Sequence, residues 1–344
     1  MPRSQNSPAR RLLVPLAALA MSLAACAEIE PLERTGLYEV FTGHSKTTWC
    51  QEEDDGPFLA PGADLVGPNF SLSMRCHFGG TEVPDHVAAE IEQLAELPAL
   101  LEGAELLINQ LAFKPAHEMD AGGEGLEPWI EADGRRIDLD ALPIRGDYLA
   151  VAVPAGAETV LWVEDQGRAQ GIDLRTGAHI DPVEGYYGDP GISSVTTEGW
   201  EFWDVELWNG GTSWTVSCRD DWATVERSMW LPDQGWAPEG SAFLEVEFWW
   251  CGGEEVFEEV TWTLDVRRAV AVSDGSQFFE PFDWVQDEPE ENGWQLTTVI
   301  FEVPAQTAEF KVFFTPASEV TEKESGRKFS PNGLQEIVTW EVAF

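Results

Sequence analysis

Carboxylates dominate the reactive groups of this 344-residue chain: 62 Asp and Glu stand against 20 Lys and Arg, with five His and five Cys. Two acids about 5–10 Å apart in a cleft, one with a raised pKa, can hydrolyse a glycosidic bond. Among so many acids the sequence singles out no pair. The dense runs are Glu52-Glu53-Asp54-Asp55, Glu254-Glu255 with Glu258-Glu259, and Asp287-Glu288 with Glu290-Glu291. They supply oxygens of the kind calcium takes, but none has the spacing of an EF-hand loop. They read first as solvated acidic faces, or as the anionic surface of a protein from a salty habitat. No metal or cofactor is expected, and calcium is the one ion these runs leave open. His44, His77, His86, His117 and His179 all precede residue 191. The group His77, His86 and His117-Glu118 matches no zinc-ligand spacing. There is no Gly-x-Ser-x-Gly or Ser-x-x-Lys motif, no Cys–His protease signature and no phosphate-binding glycine loop. The expectation is a protein that is not an enzyme.

Tryptophan is the other residue type in excess. Of 16 Trp, three precede residue 191 and 13 follow it. Alternation along the chain assigns Trp203, Trp250, Trp262 and Trp340 to a core. Trp208, Trp222, Trp230, Trp236 and Trp249 fall in loops or on the opposite face and are the candidate binding residues. Exposed indoles stack on sugar rings, with acids accepting hydroxyl hydrogen bonds, or anchor protein partners. The expected partner is therefore a cell-wall glycan or an envelope protein. If all the Trp are internal, the second half is a structural spacer.

A formal charge of −42 excludes unaided nucleic-acid binding, which needs Lys and Arg to displace counterions from phosphates. At 43% hydrophobic and 11% aromatic, the chain is too apolar to be a disordered acidic tail. The N-terminus has a different character. Arg3, Arg10 and Arg11 precede the short apolar run Leu12–Ala20 and then Leu23-Ala24-Ala25-Cys26. A basic start, a run too short to span a membrane and small residues before a cleavage point read as a secretory signal over 1–25. Leu-Ala-Ala-Cys resembles the lipobox of bacterial lipoproteins. That resemblance implies diacylglycerol and palmitate on Cys26, a tether over 26–35, and attachment to the cell membrane by lipid alone. Ala27 after that cysteine permits sorting to an outer membrane where the cell has one. Export places Cys50, Cys76, Cys218 and Cys251 in an oxidising compartment. Four cysteines allow three pairings. They fall as two close pairs, which favours Cys50–Cys76 and Cys218–Cys251.

The elements that must position these residues are strands. Phe70, Leu72, Met74 and Cys76 alternate with polar residues, as do Trp203, Val205 and Leu207, and Leu244, Val246, Phe248 and Trp250. The period of two predicts antiparallel sheets with one wet face, and frequent Gly, Asn and Pro turns suit a β-sandwich. One helix is predicted at Asp85–Leu97, with Val87, Ile91 and Leu94 on one face and Pro98 as its stop. Landmarks recur in order. Cys76, Glu102-Gly103, Asp133-Gly134 and Val153-Pro154-Ala155 match Cys218, Glu239-Gly240, Asp274-Gly275 and Val303-Pro304-Ala305. Such a repeat divides the chain into 36–190 and 191–344, joined near Gly185–Gly191. The Asp-Gly turn followed by a Val-Pro-Ala strand resembles the immunoglobulin-like domains of bacterial surface lipoproteins. Val160–Gly177 is similar to the closing strands of such domains in actinobacterial exported proteins. The resemblance implies two tandem immunoglobulin-like antiparallel β-sandwich domains, mainly β with one short helix in the first. It further implies a binding or structural role at the cell envelope with no catalytic residues. A carbohydrate-active enzyme using paired carboxylates is the alternative.

Overall fold

The computed structural model describes residues 34–46, 63–115, 125–143, 147–188, 190–251, 259–288, 290, 293–331 and 335–344. The signal segment, Cys26, Cys50, His117-Glu118 and most of the acidic runs at 52–55 and 254–259 lie outside the described residues. The first half contains β1 (Val40–His44), β2 (Asp64–Gly67), β3 (Phe70–Gly80), α1 (Asp85–Glu90), α2 (Glu92–Ala95), β4 (Ala104–Pro115) and β5 (Glu127–Ala132). It continues with β6 (Arg135–Asp138), β7 (Asp147–Pro154), β8 (Thr159–Asp165), β9 (Arg168–Asp173) and β10 (His179–Ile180). Two five-stranded sheets result, β1-β7-β4-β3-β2 and β10-β9-β8-β5-β6.

The second half opens with β11 (Ser193–Thr196), β12 (Trp200–Asn209), β13 (Thr212–Asp220), β14 (Thr224–Ser228), β15 (Trp230–Leu231), β16 (Gly235–Trp236) and β17 (Ser241–Trp250). Next come β18 (Val260–Leu264), α3 (Val266–Ala269), β19 (Val270–Ser273), β20 (Phe278–Phe279) and β21 (Asp283–Gln286). It closes with β22 (Gln295–Pro304), β23 (Glu309–Phe314), β24 (Ser318–Glu322), β25 (Lys328–Pro331) and β26 (Val338–Ala343). Its sheets are β11-β14-β17-β22-β21, β13-β12-β25-β24-β18 and β20-β19-β23-β26, with β15-β16 as a separate hairpin. The mainly β, antiparallel expectation holds.

Three of the four sequence landmarks occupy equivalent places in their sheets. Ala104 pairs with Pro154 as Ser241 pairs with Pro304. Just beyond each pair, the Ala155 amide donates to the Gly103 carbonyl at 2.9 Å and the Ala305 amide to the Gly240 carbonyl at 2.8 Å. Asp133-Gly134 and Asp274-Gly275 turn β5 into β6 and β19 toward β20, with Gly134 and Gly275 at φ 74° and 86°. The fourth landmark fails. Cys76 lies on β3, which pairs with β4, whereas Cys218 lies on β13, which pairs with β12 in a different sheet.

Two β-bulges explain where the alternation pattern breaks. On β3 the register shifts between Met74 and Cys76. Phe70, Leu72 and Met74 pack between the two sheets, while Cys76 joins a second cluster with Val87, Ile91 and Leu94. The first sheet is therefore buried on both faces rather than wet on one. The predicted helix is two short ones, broken at Ile91, whose φ of −123° and ψ of 84° leave the helical region; Val87, Ile91 and Leu94 nonetheless face the sheet together. α3 in the second half was not foreseen. On β12 the register shifts between Phe202 and Val205, and Asp204 takes a left-handed φ of 52°. An extra residue in one strand flips the alternation beyond it. Trp203, assigned to the core by its spacing from Leu207, is instead 55% exposed, and Trp200 and Phe202 are buried.

The second-half core is built from rings. Trp200 and Trp250 stack at 5.9 Å, Trp250 meets Trp262 edge-on at 4.6 Å, and Phe248 meets Phe314 at 4.5 Å. The Trp250 indole donates to the Trp262 carbonyl at 3.1 Å, and that of Trp262 to the Ser318 hydroxyl. Cys218 and Cys251 form a disulfide with Cα atoms 6.0 Å apart, joining β13 of one sheet to the end of β17 of another. Cys76 is also disulfide-bonded. Replacing both Cys218 and Cys251 with Ala opens a crosslink spanning 33 residues and should lower the unfolding free energy by ~3–4 kcal/mol. Urea denaturation under non-reducing conditions measures this, and an unchanged midpoint contradicts it.

Candidate functional site

Two places bring Trp to the surface beside polar groups. The first is the outer face of the sheet β13-β12-β25-β24-β18. Trp208 points outward from β12 and is 40% exposed. It is paired with Ser213 on one side and Ser330 on the other. Ser330 and Glu319 flank the Val320–Phe329 pair, and Glu319 is paired with Thr263. Ser213, Trp208, Ser330, Glu319 and Thr263 thus form one row across five strands, roughly 19 Å long at ordinary strand spacing. A cavity of about 500 Å³ lies at the Ser330–Glu319–Thr263 end of this row, lined also by Asp265, Arg268 and Gln335. The charges there are paired: Lys328 Nζ to Glu319 Oε1 at 2.6 Å, and Arg268 Nη1 to Asp265 Oδ2 at 3.9 Å. The bulge at Asp204 puts Trp203 on this same outer face, with the Arg219 guanidinium 6.0 Å from its ring. Sequence reasoning missed Trp203 because nothing in its spacing announces a bulge; the Asp at 204 was the only signal, since Asp tolerates left-handed backbone.

The second place is the junction of the two halves. Trp236 is half-buried there. Its indole donates to the Gln166 carbonyl at 3.0 Å, its ring meets Tyr186 edge-on at 6.3 Å, and Arg168 lies 5.2 Å from it. Gln166 and Gly167, at φ 52° and 76°, form the tight turn of the β8–β9 hairpin that makes this contact. Gly185 packs so closely on Met229 that a Cβ would meet its sulfur at 2.3 Å. The fully buried Arg227 donates from Nη1 to the carbonyls of Pro190 at 3.1 Å and Gly191 at 2.7 Å, and from Nη2 to that of Ala305. The segment Gly185–Gly191 is thus clamped by side chains from the second half.

A cleft of about 910 Å³ opens beside this contact, walled by Gly67–Asn69 and Tyr186 from the first half and by Ser194, Glu226, Trp230, Leu231 and Glu245 from the second. Glu226 and Glu245 are directly opposed on β14 and β17. Burial, with Glu226 and then Glu247 adding negative charge, pushes the Glu245 carboxyl up to about 7. Glu247 is raised by burial, Glu226 and Asp287.

The five candidate Trp therefore separate. Trp208 is on the exposed sheet face. Trp222, 37% exposed, lies in the turn after β13. Trp249 is half-buried on the outer face of β17, its amide donating to Asp220 at 3.2 Å. Trp230 lines the cleft and Trp236 is occupied between the halves. The described histidines are dispersed: His44 pairs with Asp147, His77 approaches Asn109, His86 is exposed on α1, and His179 bonds the Asp64 carbonyl. Among the described residues no group of three His, Cys, Asp or Glu is arranged to hold a metal ion, and no helix is long and apolar enough to cross a membrane.

No family model matches the chain, and no curated protein matches it. Among solved structures, a conserved domain protein from Bacillus anthracis is similar at 7% identity over 88% of this chain and 94% of that one, with a TM-score of 0.19. A likeness so slight leaves both fold and function to be argued from the strands and side chains themselves.

The cleft makes a pH prediction. An unfolded Glu releases its proton near pH 4.3, whereas folded Glu245 holds it up to about 7. Between those values the folded state binds the extra proton, so this group's contribution to stability falls as pH rises and levels off above 7. Glu245→Gln, uncharged throughout, should gain on the wild type by on the order of 1–2 kcal/mol from about pH 5 to about pH 8. Denaturation at the two pH values measures it; a pH-independent difference contradicts the burial of this carboxyl.

Proposed function

We propose that this is an exported, lipid-anchored protein with a non-catalytic binding role at the cell envelope, built from two tandem immunoglobulin-like β-sandwiches. In this reading Cys26 carries the lipid and the tether holds the first sandwich near the membrane. The Trp-rich second half is the contact module. One observation carries the binding role: Trp208 and Trp203 stand exposed on the outer face of one sheet, and the row that holds Trp208 runs on into a polar cavity. An exposed indole forgoes about half of the burial that rewards its size, and two on one sheet face support a contact surface over a spacer. The partner is a component of the envelope, met by stacking on the two rings. Trp208→Ala and Trp203→Ala should each reduce retention of the full chain on purified envelope fragments at least about fivefold, with far-UV circular dichroism unchanged. Retention that survives both substitutions contradicts the assignment.

One observation favours a second reading, a carbohydrate-active enzyme. Glu226 and Glu245 oppose each other in the cleft beside Trp230, and directly opposed strand residues start about 5 Å apart. That is the scale of the acid and nucleophile separation in retaining glycoside hydrolysis, and Glu245 titrates where a general acid is useful. Release of new reducing ends from envelope polysaccharide, abolished in Glu245→Gln, would establish this activity. No release by the wild type leaves the non-catalytic role.

A further inference from the structure

The charge and hydroxyl pattern around Trp208 narrows the chemistry of what binds there. The row across the sheet alternates one aromatic platform with hydroxyls and a carboxylate: Ser213, Trp208, Ser330, Glu319 and Thr263. A protein anchor would need contiguous apolar surface around the indole, but Trp208 is flanked on both neighbouring strands by serine. An anionic ligand would need surplus positive charge, but Lys328–Glu319 and Arg268–Asp265 each cancel, and the exposed Asp204 and Glu206 of β12 add negative charge beside the two rings. The whole chain, at −42, repels polyanions at long range. What remains is a ligand with apolar ring faces and many uncharged donors and acceptors. Trp203 adds length. It lies on the same face of β12, and with one residue absorbed by the bulge the two rings are roughly 13 Å apart along the strand. That is too far for a single sugar ring to touch both.

Resting on the reading that this face is the contact surface, we propose that its ligand is an uncharged glycan chain. One ring of the chain stacks on Trp208, its hydroxyls meet Ser213 and Ser330 on the flanking strands, and a second ring, farther along β12, stacks on Trp203. The two indoles act as separate subsites, so binding strengthens with chain length.

Calorimetric titration of the full chain with cellohexaose, laminarihexaose and maltohexaose, and with an oligogalacturonate of equal length, tests this. At least one neutral hexasaccharide should bind and the polyanion should not. Trp208→Ala should weaken the bound sugar about tenfold or more, with Trp208→Phe recovering part of the loss. Trp203→Ala should weaken the hexasaccharide but leave the matching disaccharide unchanged. Preference for oligogalacturonate overturns the proposal. So does failure of every neutral sugar while Trp208→Ala still abolishes retention on envelope fragments; the binding role then stands with a different ligand. If neither substitution changes sugar binding or envelope retention, the proposal and the binding role fall together.

Discussion

Two sheets of the second half are held back to back by the Cys218–Cys251 bond and by interlocked rings, and the surface of that half is positioned by this contact. Trp200 from β12 stacks on Trp250 from β17, while Phe314 from β23 meets Trp200, Phe202 and Phe248. With Leu207, Trp200 and Phe202 directed inward, the alternate positions of β12 must face outward. Trp208 and Trp203 are exposed because the inner face of their strand is already filled.

Burial of the rings outweighs its polar cost. The indole nitrogens of Trp200 and Trp340 have no hydrogen-bond partner among the described residues. An unsatisfied buried donor costs about 1–3 kcal/mol. Burying some 200 Å² of aromatic surface contributes about 5 kcal/mol at 25 cal/mol per Å². The apolar term wins, which is how so many Trp can be tolerated in one half. The same arithmetic makes an exposed Trp informative: Trp203 and Trp208, 55% and 40% exposed, give up about half of that gain. The junction of the halves uses its aromatics differently, with Trp236 against Tyr186 and Gln166 and with Arg227 gripping the connecting segment. Rings there fix orientation instead of remaining available to a partner.

Much of the architecture was legible because apolar alternation is a direct record of a buried face. The β character, the Asp133-Gly134 turn and the Cys218–Cys251 pair all followed from residue type and spacing, whereas the pairing of Pro154 with Ala104 needed the strand register. The errors cluster at bulges, where one inserted residue reverses the face of those beyond it and leaves the composition unchanged. Cys76 and Trp203 were each placed on the wrong face for that reason. The cleft carboxylates were invisible for a different one. Glu226 and Glu245 are 19 positions apart and no more acidic in context than their neighbours; only the strand register makes them opposite. Trp208 was recognised from the sequence, but its row partners Ser330, Glu319 and Thr263 come from three later strands and needed the sheet order.

The proposed binding role requires that the outer face of β12 meet the partner. Indole-selective ¹⁵N–¹H spectra of the full chain, recorded with and without envelope glycan, test it most directly. The Trp208 and Trp203 resonances should move and broaden, while those of the core residues Trp250 and Trp262 stay in place. Shifts confined to Trp230 and Trp236, with Trp208 and Trp203 unmoved, would transfer the site to the cleft between the halves and rule out the β12 face.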